Sequence, residues 1–247
     1  MSGPNNGSET DAALAARLAQ AAGELLTALR DETTFERPAL GAEGDRRANA
    51  LILEGLRSAR PDDAILSEES RDDKARLDRS RVWIVDPLDG TREYREGRGD
   101  WAVHVALAVD GAAVAGAVAL PPLGLVLRSD QPTVPVAAQD PPRMVVSRTR
   151  PPIEADRVAE AIGAVRIEMG SAGAKAMAVV RGEAEIYLHA GGQHEWDNCA
   201  PVAVAKAHGL HCSRIDGGAL VYNNDDTSIP DLLICRREWA ARVIAAL

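Results

Sequence analysis

The chain has 247 residues and carries 28 Lys and Arg against 37 Asp and Glu, a formal net charge of −9, with a pI near 5.1. Nucleic-acid polymers and anionic membranes recruit proteins through a basic field, so neither is expected as a partner, and an anionic substrate would need a metal or a local basic cluster. The length suits one large domain or two small packed ones, and Cys199, Cys212 and Cys235 are too few and too widely spaced for a disulfide framework or a zinc site.

The start, MSGPNNGSETD, has no basic or apolar leader pattern, and no stretch offers about 18 uninterrupted apolar residues; a cytoplasmic location is expected. Residues 1–9, rich in Gly, Asn and Ser, are expected to be disordered. Thr10 or Asp11 caps a helix with Leu14, Leu18, Leu25, Leu26 and Leu29 on one face. The polar stretch 30–44, with Pro38 and two glycines, reads as a loop or flap. Asp45 then caps a second helix carrying Ala48, Leu51, Ile52 and Leu56, which Pro61 closes.

Ala64, Ile65 and Leu66 predict a short strand that ends in Glu68 and Glu69. The charged run 71–81 reads as a solvated helix or loop. Next comes RVWIVDPLDGT, residues 81–91, the stretch around which the chain is organised. Its apolar run reads as a strand buried on both faces, and Pro87 predicts that this strand stops near Asp86. Asp86 and Asp89 then stand at a strand end, beside Gly90 and Thr91, whose amides are free to approach an anion. Carboxylates for a hard cation beside amides for a phosphate make a phosphoryl-transfer site.

Residues 92–100 read as a polar loop. WAVHVALAV and AAVAGAVAL around Asp110-Gly111 predict a hairpin, and GLVLRS adds a strand to a sheet carrying helices on one face. This gives an N-terminal α+β half over residues 10–130. Residues 131–142, with several prolines, are a connection. The C-terminal α/β half, residues 143–247, holds a strand at RMVVS, a helix near 155–162, a strand VRIEM and the turn GSAGAK opening a helix through Val180. A strand AEIYLHA, a helix after Trp196-Asp197 ended by Gly209, short strands HCSRI and DLLICR, and a last helix EWAARVIAAL complete it. His189 and His194 lack cysteine or histidine partners at zinc spacing and read as structural; Trp101 and Trp196 read as core. Asp197, taken alone, would serve equally as the N-cap of its helix.

DPLDGT at 86–91, SEES at 67–70 and WDNCAP at 196–201 together resemble the three motifs of the lithium-sensitive, magnesium-dependent phosphatase superfamily that includes inositol monophosphatase and fructose-1,6-bisphosphatase. The resemblance implies an αβαβα layered sandwich with the site between the halves. It implies that Glu68, Asp86 and the Leu88 carbonyl hold a first Mg²⁺ and Asp86, Asp89 and Asp197 a second, with two or three ions per site and Mn²⁺ as a substitute. It implies that Glu68 and Thr91 orient the attacking water, that Asp45 hydrogen-bonds Thr91, and that the Gly90 and Thr91 amides grip phosphate. A homodimer is also implied.

GSAGAK at 170–175 and SRTR at 147–150 resemble the nucleotide-site segments of the CysQ-type 3′(2′),5′-bisphosphate nucleotidases, with Arg150 replacing a histidine. They imply that Ser171, Lys175 and Arg148 bind substrate. Ala190 stands where inositol monophosphatases place an acidic residue, and LGAEGDRRAN replaces the family's basic, Thr-rich flap. The expected reaction is hydrolysis of adenosine 3′,5′-bisphosphate to AMP and phosphate in sulfur assimilation, with the phosphosulfate as a second substrate. An inositol-1-phosphatase, a fructose-1,6-bisphosphatase or an enzyme broad over these substrates is the alternative. A haloacid-dehalogenase-type phosphatase fits poorly because its aspartates lie two apart, and a non-catalytic phosphate-binding module fits poorly because every acidic position is intact.

Overall fold

The computed structural model describes residues 9–32, 36–134 and 137–247; of the disorder expected for residues 1–9, residues 1–8 fall outside them, and Glu9 is held by Arg17, whose Nε donates to its carboxylate at 2.9 Å. Five layers stack in the order helix, sheet, helix, sheet, helix. The first helical layer is α1 (Asp11–Glu32) and α2 (Arg37–Ala59). Thr10 caps α1, its hydroxyl accepting the Ala13 amide at 3.1 Å, and Leu14, Leu18, Leu26 and Leu29 face the sheet beneath.

That sheet contains β1 (Ala64–Ser67), β2 (Arg81–Asp89), β3 (Ala102–Val109), β4 (Ala112–Leu120) and β5 (Leu125–Arg128), in spatial order. The expected hairpin is present: β3 and β4 pair antiparallel, with Asp110 at φ 48° and Gly111 at φ 79° making the turn. β1 runs parallel to β2, so both strands end on the same edge. Helices cover both faces of this sheet and not one as expected, because the helices of the C-terminal half pack on its far side.

The second sheet holds β6 (Arg143–Ser147), β7 (Val165–Met169), β8 (Ile186–His194), β9 (His211–Ser213) and β10 (Ser228–Cys235), in the order β7-β6-β8-β10-β9. Between the sheets lie α5 (Ala172–Val180) and α6 (Glu195–Ala207), and α4 (Ile153–Ile162) and α7 (Arg237–Ala245) cover the outer face. The middle layer is built from Ala, Val and Gly: a Cβ on Gly116 of β4 would sit 3.2 Å from Ala203 Cβ of α6. Small residues thus let the sheet and helix close tightly. The αβαβα sandwich is as expected.

Three expectations fail locally. Residues 37–44 are helical, not a loop: Pro38 sits in the first turn of α2, where its missing N–H costs nothing. Asp45 is therefore inside α2 and caps nothing. The run 71–81 is not wholly solvated, since Arg76, in a 3-10 turn Ala75–Asp78, is 2% exposed.

Candidate active site

β2 continues past the expected stop near Asp86 to Asp89, with its pairing to β3 slipping between these two residues. Pro87, which has no N–H to offer, falls in the slip, where no ladder bond is required. Leu88 N donates to Asp86 Oδ1 at 3.0 Å. Gly90 then turns at φ 88°, a conformation that favours glycine, and residues expected as loop form the short helix α3 (Thr91–Arg95). Because β1 and β2 are parallel, Glu68 leaves β1 beside Asp86, its amide donating to the Val85 carbonyl at 3.2 Å.

Asp197 arrives from the other half. It is the third residue of α6, with His194 as the N-cap, and Asp197 Oδ2 accepts the His194 amide at 2.5 Å. It is thus not itself the cap. Oxygens of Asp86, Asp89 and Asp197 lie within 4.8 Å of one another. Among the described residues no basic side chain pairs with Glu68, Asp86 or Asp197. Burial, then the Glu68 and Asp89 charges, pushes Asp86 well above the carboxylate range. Glu68, within hydrogen-bond reach of Asp86, goes up to about 7, through desolvation first and the Asp197 charge second. Asp197 goes up to about 6, through burial and then Asp89. Convergent carboxylate oxygens with uncompensated charge are a donor set for a hard divalent cation.

Asp89 is held differently. Its oxygens accept the Ser171 hydroxyl, the Ala172 amide at 3.1 Å and the Gly173 amide at 2.6 Å. Burial alone would raise its carboxyl, but His104, Ser171 and Gly173 outweigh it and hold the group well below the usual range. His104 Nε2 is 3.2 Å from Asp89 Oδ2, and Nδ1 is 3.0 Å from the Trp196 carbonyl oxygen. His104 escaped the sequence reading. Its one signal was a lone polar side chain inside the apolar run of a buried strand, which demands a partner.

Other expected contacts are arranged otherwise. The Thr91 hydroxyl donates to the Leu88 carbonyl at 3.2 Å, not to Asp45. Asp45 Oδ1 is buried without a partner among the described residues, and burial followed by the Glu69 and Glu68 charges pushes it up to about 8. Ser171, expected on substrate, spends its hydroxyl on Asp89 and on accepting the Ala174 amide at 3.0 Å. Arg148 is committed to Glu93 Oε1 at 2.8 Å and Glu96 Oε2 at 3.0 Å.

Lys175 is 4% exposed. It donates to the Gly170 and Ser171 carbonyls and lies 5.3 Å from the Tyr187 ring centroid. Burial lowers it to about 8 against the pull of Asp89 and Glu93. A cavity of about 280 Å³ opens beside the acidic cluster, lined among others by Asp89, Gly90, Thr91, Asp197, Lys175, Arg148, Arg150 and His189. Arg150, Tyr187, His189 and Gln193 are lining residues that the sequence reading left out of the site. His189 Nε2 bonds the Gly191 carbonyl oxygen at 2.7 Å, and burial lowers its pKa to about 4.

The sequence profile of the inositol monophosphatase family matches residues 8–247. The chain belongs to this family. Within it, the chain is 50% identical to the 3′-phosphoadenosine 5′-phosphate phosphatase of Mycobacterium leprae, over 96% of this chain and 93% of that one. It is 32% identical to the 3′(2′),5′-bisphosphate nucleotidase CysQ of Salmonella typhimurium, over 72% and 77% of the two chains. Among solved structures, CysQ from Bacteroides thetaiotaomicron superposes with a TM-score of 0.81 at 24% identity, covering 93% of this chain and 98% of that one. Inositol monophosphatase-II from Staphylococcus aureus superposes at 0.77 with 20% identity, covering 92% of each. These structural likenesses establish the fold. Family membership carries metal dependence with it, and the acidic cluster is where a metal fits.

Proposed function

We propose that this chain is a Mg²⁺-dependent phosphomonoesterase that hydrolyses adenosine 3′,5′-bisphosphate to AMP and phosphate, with the corresponding phosphosulfate as a second substrate. The observation that carries the reading is the 50% identity, over nearly the whole of both chains, to an enzyme named for that substrate. The inositol phosphate alternative is not favoured: Ala190 stands at the chain position where the resemblance places an acidic residue in inositol monophosphatases.

Asp86, Asp89 and Asp197, with Glu68 and the Leu88 carbonyl, would hold the Mg²⁺ ions. When bound, the metal neutralises charge developing on the phosphoryl oxygens and favours ionisation of water. Glu68, leaving β1 beside Asp86, would orient the attacking water and take its proton. Thr91 would orient that water, and the Gly90 and Thr91 amides would hold phosphate oxygens. Lys175 supplies the cationic wall for the second phosphate. Arg148, tied to two glutamates, supports the wall, and Arg150 is the freer guanidinium on it.

The test is Mg²⁺-dependent phosphate release from adenosine 3′,5′-bisphosphate, inositol 1-phosphate, fructose 1,6-bisphosphate and histidinol phosphate side by side. The largest kcat/KM is expected for the nucleotide; a larger value for any of the others sinks the substrate assignment. Millimolar Li⁺ is expected to inhibit.

A further inference from the structure

The acidic cluster is divided between two halves of the chain. Glu68, Asp86 and Asp89 come from the first sheet, and Asp197 alone comes from α6. Something must set the first turn of α6 against the first half, because a small shift there would separate Asp197 from its partners. Apolar packing of α6 on β4 sets the coarse position, and His104 Nδ1, 3.0 Å from the Trp196 carbonyl oxygen, ties β3 to the helix's first turn.

A second polar anchor lies two residues before Asp197. Glu195 is 0% exposed, and among the described residues no cation pairs with it directly. Its Oε2 accepts the Asn223 amide at 2.7 Å. Its Oε1 accepts the Asn224 amide at 2.8 Å and the Asn224 side-chain amide at 2.9 Å. Asn223, held at φ 62°, turns its side chain to the first half. There Asn223 Oδ1 accepts Arg76 Nη1 at 2.8 Å, and Asn223 Nδ2 donates to the Arg76 carbonyl at 3.1 Å. Arg76 Nη2 donates to the Asn224 carbonyl at 2.8 Å and to Asp72 Oδ2 at 2.9 Å.

The turn at Asn223–Asn224 thus satisfies the buried Glu195 carboxylate within the C-terminal half and is itself tied across to the first half by its bonds to the buried Arg76. Arg76 sits on the segment that follows Glu68, and Glu195 shares a helical turn with Asp197. We infer that Glu195, Asn223 and Arg76 form a positioning strut that sets Asp197 at metal-binding distance from Asp86 and Asp89. It touches neither substrate nor metal and acts through the docking of α6. The inference rests on the acidic cluster being the metal centre.

The experiment is Mn²⁺ binding to the metal-free full chain, followed by loss of the free-ion EPR signal with no substrate present. Glu195→Gln presents an amide to the Asn224 donors, and should weaken Mn²⁺ binding about tenfold, the usual effect of residues supporting metal ligands. Activity lost at low Mn²⁺ should return as Mn²⁺ is raised. Asn223→Gly keeps the backbone turn and its amide bond to Glu195 but removes both Asn223 side-chain bonds to Arg76, leaving only the Arg76 bond to the Asn224 carbonyl, and should weaken binding in the same sense. Lowered Tm with Mn²⁺ affinity within twofold of the parent in both variants would overturn the inference, as would failure of both to fold. Asp89→Asn, run alongside, tests the metal centre itself. Should the parent chain bind Mn²⁺ no better than Asp89→Asn, the metal centre and this inference fail together.

Discussion

Asp89 shows how one side chain can be both an expected ligand and a structural anchor. Its carboxylate accepts two amides at the start of α5 and the Ser171 hydroxyl, and faces His104. Asp89→Asn should therefore remove charge at the metal centre and cost part of this cradle. We expect kcat to fall at least about 100-fold, about 2.7 kcal/mol, with the far-UV CD spectrum unchanged; near-parental turnover would remove Asp89 from the metal set. The basic wall separates in the same way. Lys175→Ala and Arg150→Ala should each raise KM for the nucleotide bisphosphate about tenfold, in line with about 1.5–3 kcal/mol for a charged hydrogen bond, and should leave inositol 1-phosphate less affected. Arg148→Ala should do less, because Glu93 and Glu96 already neutralise it. Equal losses on both substrates would refute a nucleotide role for this wall.

The position of α5 depends on an absent side chain. A Cβ on Gly173 would lie 2.1 Å from His104 Nε2 and 3.0 Å from Ala102 Cβ. Gly173→Ala must push the helix from β3 or displace His104, and both moves disturb Asp89. An overpacking cost of about 1–3 kcal/mol is expected, read as a lowered Tm together with weaker metal binding; an unchanged Tm would show that the site relaxes freely. The same logic explains why residues 37–44 look like a loop and fold as a helix. Gly41 and Gly44 are poor helix formers, but a Cβ at Gly41 would lie 2.8 Å from Thr91 Cγ2, and one at Gly44 3.0 Å from Leu26 Cδ2. The glycines let α2 lie against α1 and α3. Local propensity recorded their cost, and the packing that repays it involves residues far along the chain.

Across the molecule the acidic cluster sets a pH dependence. Asp197, Glu68 and Asp45 are raised to about 6, 7 and 8 in the folded protein, above their values in an unfolded chain. As pH rises, the unfolded chain releases these protons first and the folded chain keeps them, so unfolding is favoured progressively. Without divalent metal, Tm should fall as pH rises from the ordinary carboxylate range to about 8. Bound metal should flatten that slope by supplying the missing positive charge. Differential scanning calorimetry with and without Mg²⁺ measures both, and a flat metal-free profile would contradict the raised values.

Much of this protein was legible as sequence. The hairpin at Asp110-Gly111, the strand bearing Asp86, the helix opening at GSAGAK and the three acidic motifs each lie within a short stretch, where propensity, turn chemistry and spacing act locally. The layered fold came from the family resemblance that the three motifs carry, whereas the stretches read by themselves put helices on one face of the first sheet only. Contacts between distant stretches were not legible. Ser171 and Arg148, expected on substrate, line the cavity, but that Asp89 would take the hydroxyl of one and Glu93 and Glu96 the guanidinium of the other was not readable from the chain. His104 looked like a strand residue until β3 brought it between Asp89 and the start of α6. Hydrogen-bonding capacity is written in the side chain, but which partner takes it up is decided by the distance between segments, and only the packed tertiary structure sets that distance.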